Sequence, residues 1–193
     1  FLLCVMAFSC QEIKERQMWT EDGQLHTSDG PFFIQAVCYH PVPVGQAERS
    51  FETLTQDLAL MKDMGINTIR VYEPITSEAV LDEIHEAGIS VIVGIGYNQG
   101  GLYDLQSGTY LDYVERFKSH PAILLWELGN EYNFHPEWFG GSLDLWYETL
   151  RDASAAIQSA DANHPVSTAH GELPEENLIA KLTDIDLWGL NVY

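Results

Sequence analysis

The stretch ILLWELGNEYN, residues 123–133, decides how this chain is read. Large apolar residues run from Ile123 to Leu128, interrupted only by Glu127, and the stretch ends in Gly129, Asn130, Glu131, Tyr132 and Asn133. A continuous apolar run, rather than a strict alternation, predicts a strand buried on both faces, as in a parallel sheet. Its end is unusual, because an amide and a carboxylate stand side by side. Glu131 is either a strand-end carboxylate in a salt bridge or a proton donor at the mouth of a pocket. On a regular strand Glu127 shares the face of Glu131 and lies deeper, where it needs a partner such as Arg70. Asn130 and Glu131 cannot both point inward on a regular strand, so a bulge or strand end is expected near Gly129.

Outward from this stretch two patterns alternate. PFFIQAVCYHP (31–41), INTIRVYE (66–73), ISVIVGIGYN (89–98), PVSTAHG (165–171) and IDLWGLNVY (185–193) read as further strands. Between them, SFETLTQDLALMKDMG (50–65) sets Phe51, Leu54, Leu58, Met61 and Met64 at helical spacing, with Ser50 to cap it and Gly65 to end it. SEAVLDEIHEAG (77–88), YLDYVERFKSH (110–120), LDLWYETLRDASAAIQSAD (143–161) and EENLIAKLT (175–183) read as helices. Strands alternating with helices predict an α/β fold with a parallel sheet, either a doubly wound open sheet or a barrel. A nucleotide-binding open sheet needs a phosphate loop, and the Gly-rich GIGYNQGGLYD (94–104) lacks that pattern. Instead, successive strand ends carry polar and aromatic groups: Tyr39 and His40, Arg70, Tyr97 and Asn98, Asn130 and Glu131, His170, and Asn191 to Tyr193. A barrel gathers its strand C-termini on one face, where its active sites lie. The expectation is a TIM (β/α)8 barrel, incomplete, with about six of eight βα units, since a whole barrel takes about 250 residues and this chain has 193.

The net charge of −20 is spread along the chain and argues against a nucleic-acid partner, whose phosphates it would repel. Residues 1–10, FLLCVMAFSC, form an apolar run too short to span a bilayer, and read as a signal peptide or lipoprotein signal. On that reading Cys10 is the lipidation site, the protein is exported, and a lipid anchor is its one membrane attachment. With Cys4 removed and Cys10 acylated, Cys38 remains without an internal disulfide partner. Residues 11–30 read as a tether or short hairpin, and 31–193 as the partial barrel.

A general acid that breaks an ether-like C–O bond at neutral pH must hold its proton, which a partly apolar pocket promotes by desolvation. Trp126, Phe134 and Trp138 stand near Glu131 in sequence and could supply that surface, while Asn130 can bond a sugar hydroxyl. Tyr39, His40, Tyr97, Asn98, His170 and Glu172 fall on the same rim, as sugar contacts or as loop packing. Trp138, Phe139 and Trp146 could form a platform for a pyranose ring; for Trp146, helix packing is preferred. Cys38 and Trp188 read as core. Metal chemistry is disfavoured: no HxH or HExxH pair occurs, and His135-Pro136-Glu137 is isolated. No cofactor is expected.

Gly129-Asn130-Glu131 after LLWEL, Arg70 within INTIRVY and the final GLNVY together resemble the clan A glycoside hydrolases, retaining β-glycosidases on (β/α)8 barrels. The similarity is greatest to family 2, with features of family 5 and of β-1,3-glucan-active enzymes in AVCYHPVP and IRVYEP. The resemblance implies that Glu131 is the general acid/base, that Asn130 bonds the sugar 2-hydroxyl, that Arg70 holds the nucleophile's carboxylate and that Tyr193 approaches it. It also implies a nucleophilic Glu at the end of a seventh strand, which this chain does not reach. The isolated chain is therefore not expected to turn over substrate by double displacement. The implied partner is an oligo- or polysaccharide. Transglycosylation on β-1,3-glucan and a non-catalytic carbohydrate-binding barrel are the alternatives.

Overall fold

The computed structural model describes residues 18–96 and 102–192. Cys10, Tyr97, Asn98 and Tyr193, all named above, lie outside the described residues. A small antiparallel sheet comes first, with β1 Met18–Glu21, β2 Gln24–Thr27 and β3 Gly30–Pro31. Much of the stretch read as a tether or short hairpin is therefore paired backbone. Six strands follow: β4 Ala36–Cys38, β5 Thr68–Val71, β6 Ser90–Ile95, β7 Ile123–Asn130, β8 Val166–His170 and β9 Leu187–Leu190. They form one curled sheet in chain order, and every neighbouring pair is parallel. Helices α1 Leu54–Asp63, α2 Glu78–Glu86, α3 Tyr110–Phe117, α4 Leu143–Ala160 and α5 Glu176–Ile179 make the crossovers.

The apolar stripes define two cores. On the helix side, Val91, Val93, Ile95, Trp126, Leu128 and Val166 pack with Leu81, Ile84, Val114, Phe117, Leu150 and Ile157. Each fully buried side chain of this size contributes about 1.5–3 kcal/mol. On the concave side, Met18 and Leu25 of the small sheet pack on Ile92, Leu124 and Leu125, with Phe32, Ile34 and Leu187 at the border. The small sheet thereby covers the inner end of the larger one and leaves the strand C-termini as its open mouth.

Three expectations change. The first helix begins at Leu54, because Ser50 spends its hydroxyl on Glu52 N (3.4 Å) and Thr53 bonds the Asp57 side chain (2.9 Å). Cys38 is exposed rather than core, and Tyr39 is buried rather than on the rim. Both follow from β4 being a three-residue strand with a single neighbour, β5, among the described strands. Tyr39 turns to the helices, lies tilted against Phe51 and donates to Asp57 (2.8 Å).

Beneath the sheet, the Trp126 indole N–H donates to Asp161 Oδ2 (2.8 Å), and His164 Nδ1 meets the same oxygen at 2.7 Å. Asn163 N donates to Oδ1 (2.9 Å). Burial alone would raise the Asp161 carboxyl, but the bond and charge of His164, with Trp126 and Asn163, hold it below the usual carboxylate range. A carboxylate depressed on folding stabilises the fold fully above its unfolded value, about 3.9, and loses that contribution as pH falls through the lower folded value. Asp161→Ala leaves buried donors unpaired, which costs about 1–3 kcal/mol per group. Urea denaturation at pH 7 is expected to show that loss, and Asp161→Asn is expected to flatten the decline of stability below about pH 4.

Candidate active site

The site is built outward from one partly buried cation. Arg70, third residue of β5, points into the concave side. Its Nε donates to Glu127 Oε1 at 2.6 Å, and its Nη2 lies 2.5 Å from the same oxygen. Nη2 also donates to Asn130 Oδ1 at 2.9 Å, and Nη1 faces Cys38 Sγ at 3.8 Å. The guanidinium lies over the Tyr72 ring, 4.8 Å from its centroid, where the π face favours a cation. The Tyr72 hydroxyl donates to Cys38 Sγ (3.4 Å). Burial pushes the Glu127 carboxyl up, against the charge and hydrogen bond of Arg70. Burial would also lower Arg70, but Glu127 more than offsets it and holds the guanidinium charged.

Glu127 and Asn130 are three residues apart, yet both reach Arg70. The register explains how. Between β7 and β8, Glu127 pairs with Ser167 and Asn130 with Ala169, so β7 spends three steps where β8 spends two. This is the irregularity expected near Gly129, and it turns Asn130 to the inner face. Gly129 sits at φ +70°, and a Cβ there would come within 2.9 Å of the Trp146 ring and 3.0 Å of Tyr132. Only glycine meets both demands without strain.

Glu131 follows at the rim, itself left-handed at φ +55° and partly buried. Its N–H donates to Ala169 O (2.8 Å) and its carbonyl accepts from Phe134 N (2.9 Å). Those bonds start two 3₁₀ turns, Tyr132–Phe134 and Pro136–Phe139. Below them Tyr132 donates to the Gly96 carbonyl and packs on Trp138, Phe139 and Trp146. The carboxylate-bearing corner therefore rests on a buried aromatic cluster.

The structure joins Arg70 to Asn130 and sets Glu131 beside them on the next residue. His40 is exposed on the loop after β4. Trp126 does not border Glu131, since its ring turns to the helix side toward Asp161 and Tyr113. Phe139 and Trp146 are 1% exposed and belong to the core, while Trp138 is 41% exposed and stacks on His135 at 4.0 Å. Trp188 is only partly buried. Sequence reasoning gave no role to Asn191, whose Nδ2 donates to Asn130 Oδ1 at 3.4 Å. The recurrence of asparagine at two strand ends was the available signal.

At the C-terminal mouth of the parallel sheet the chain thus presents an amide bonded to Arg70 and, on the next residue, a carboxylate, groups that can exchange hydrogen bonds and a proton with a ligand. Comparisons with known proteins point the same way. No protein-family model matches the chain. Mannan endo-1,4-β-mannosidase F of Aspergillus clavatus is 46% identical over 55 residues, which is 28% of this chain and 12% of that protein. A β-galactosidase of Photobacterium profundum is 25% identical over 131 residues, 60% of this chain and 12% of that one. The chain thus spans about an eighth of the length of these curated relatives. Bacteroides uniformis β-glucuronidase 2, solved covalently bound to cyclophellitol-6-carboxylate aziridine, superposes with a TM-score of 0.70. That match has 17% identity and covers 92% of this chain and 23% of the other. The relatives by sequence and by fold are glycoside hydrolases.

Glu127→Ala is expected to strand the Arg70 charge and cost about 3–5 kcal/mol in urea denaturation. Replacing both partners, Arg70→Met with Glu127→Leu, is expected to recover most of that loss.

Proposed function

We propose that this chain carries the acid/base side of a retaining β-glycosidase site on an incomplete (β/α)8 barrel of the clan A type, nearest to family 2. The observation that carries the reading is the bulge at Gly129, which Arg70 holds through Glu127 and Asn130 and which brings Asn130 and Glu131 to the open mouth of the sheet. In this reading Glu131 gives a proton to the glycosidic oxygen as the bond breaks, then takes one from the incoming water. Asn130 accepts from Arg70 and Asn191 through Oδ1, which orients its Nδ2 to donate to a sugar hydroxyl.

The first residues past the six strands are Tyr39, Tyr72, Gly96, Glu131, Gly171 and Asn191. Glu131 is the one carboxylate among them. A retaining mechanism needs a second carboxyl about 5–5.5 Å away as nucleophile. We assign it to a residue outside those described, with Tyr193 beside it, and with His40 and Asn98 as outer sugar contacts. The substrate is a β-linked oligo- or polysaccharide, and the mannan named for the Aspergillus relative is the first to try. The apolar run at residues 1–10 supports export, with Cys10 as a lipid anchor site.

The test uses the complete protein. Glu131→Gln is expected to lower kcat/KM on β-glycans about 10²–10⁴-fold, with a much smaller loss of kcat/KM on activated aryl β-glycosides, whose leaving groups need no proton. Equal losses on both substrate types, or no loss on either, would remove Glu131 from this role.

A further inference from the structure

The loop after β7 and the loop after β8 meet at Gly171. Its N–H donates to Asn133 Oδ1 at 3.0 Å. A Cβ on Gly171 would overlap Phe134 Cε2 and stand 2.6 Å from both Cδ2 and Cζ, so the ring lies directly against the glycine. The φ of Gly171 is outside the left-handed region, so space rather than backbone conformation is what calls for glycine there. Resting on the glycosidase reading above, we propose that Gly171 is a positioning residue for the acid/base. Its missing side chain lets Asn133 and Phe134 close on the β8 loop, and that clamp fixes the corner that carries Glu131.

The corner needs holding, because Glu131 is left-handed at φ +55°. A non-glycine residue in that region costs on the order of 1–3 kcal/mol and persists only where its surroundings over-determine it. The Glu131 N–H bond to Ala169 O (2.8 Å) and the Phe134 N–H bond to Glu131 O (2.9 Å) hold the backbone on either side. Asn133 and Phe134 extend that hold onto the next loop. Asn133 is buried, so its bond to Gly171 is made away from water. Phe134 is 47% exposed and joins neither apolar core, so deep packing is not what places its ring.

A clamp holds only if its far side is fixed. Gly171 follows His170, the buried last residue of β8, whose carbonyl accepts from Asn191 N at 3.0 Å. His170 Nδ1 lies 2.5 Å from the Glu172 carbonyl, which makes that nitrogen the donor and leaves Nε2 to accept from the Tyr147 hydroxyl at 3.3 Å. The two rings are near-parallel, at 18°. Gly171 therefore sits between two residues tied to each other and, through Tyr147, to α4.

The chemistry makes this clamp matter. A general acid must come within about 2.6–3.2 Å of the oxygen it protonates. A misplacement of about 1 Å can lower the rate about 10²-fold. A methyl group at residue 171 has to push the Phe134 ring aside, and the Phe134 N–H is bonded to the Glu131 carbonyl. The displacement is passed directly to the residue that carries the acid.

The experiment measures kcat/KM of the complete protein on β-glycans and on activated aryl β-glycosides, for Gly171→Ala, Phe134→Ala and the double variant, beside Glu131→Gln. Gly171→Ala is expected to lose about 10–10²-fold on β-glycans and no more than about twofold on the activated substrates, which need no proton. Loss of fold alone would lower both alike. Phe134→Ala is expected to show a several-fold loss with the same selectivity. In the Phe134→Ala background, adding Gly171→Ala is expected to cost nothing further, because the ring it displaces is gone. A Gly171→Ala loss that is equal on both substrates, absent, or undiminished without the Phe134 ring overturns the inference. If Glu131→Gln remains selective in that case, the glycosidase reading stands. Where Gly171→Ala does not fold, Phe134→Ala decides, and a loss without selectivity, or none, overturns the clamp. A Glu131→Gln variant with no selective loss removes the glycosidase reading and this inference together.

Discussion

A guanidinium taken out of water must find partners, and the concave side of this sheet is arranged around that need. Arg70 is the cation at the centre of the mouth, and Glu127 and Asn130 answer it from two strands away. A regular β7 could present only one of them. The extra residue at Gly129 is what allows both, and the same extra residue carries Glu131 out of the strand and into a left-handed corner. The ion pair and the candidate acid are thus two consequences of one register shift. A buried ion pair is weak evidence for added stability, because desolvation offsets its attraction. Its value here is positional: it fixes the amide beside the carboxylate before any ligand arrives.

Much of this was legible in the sequence. Six apolar runs separated by helical spacings gave the parallel α/β sheet, and the two neighbouring polar residues at its fourth strand gave the bulge. The partnership of Arg70 with Glu127 followed from the cost of burying either alone. What local pattern could not show was where short elements face. β4 has three residues, too few for a period-2 pattern to fix a face, so Cys38 and Tyr39 were exchanged between core and rim. The start of α1 was misplaced for a related reason, since Ser50 and Thr53 are both capable caps and their hydroxyls found other acceptors.

Contacts distant in sequence were the other gap. Trp126 looked like a lining of the acid's pocket because it stands five residues before Glu131. The bulge and the alternation of faces place its ring on the opposite side, bonded to Asp161. Asn191 lies 61 residues from Asn130 and meets it only because β9 follows β8 in the curl of the sheet. Neither relation leaves a trace in local spacing. The aromatic residues after Glu131 divide in the same way: Tyr132, Phe139 and Trp146 support the corner from below, and Trp138 stays at the surface.

In the proposed function Glu131 is the acid/base of a retaining glycosidase. Azide rescue of Glu131→Ala in the complete protein, with an activated aryl β-glycoside as substrate, tests it most directly. Without its carboxylate the enzyme cannot activate water against the glycosyl intermediate, but azide needs no base. Added azide is expected to restore turnover and to yield a glycosyl azide of β configuration. Turnover that is indifferent to azide, or a product of α configuration, would contradict it.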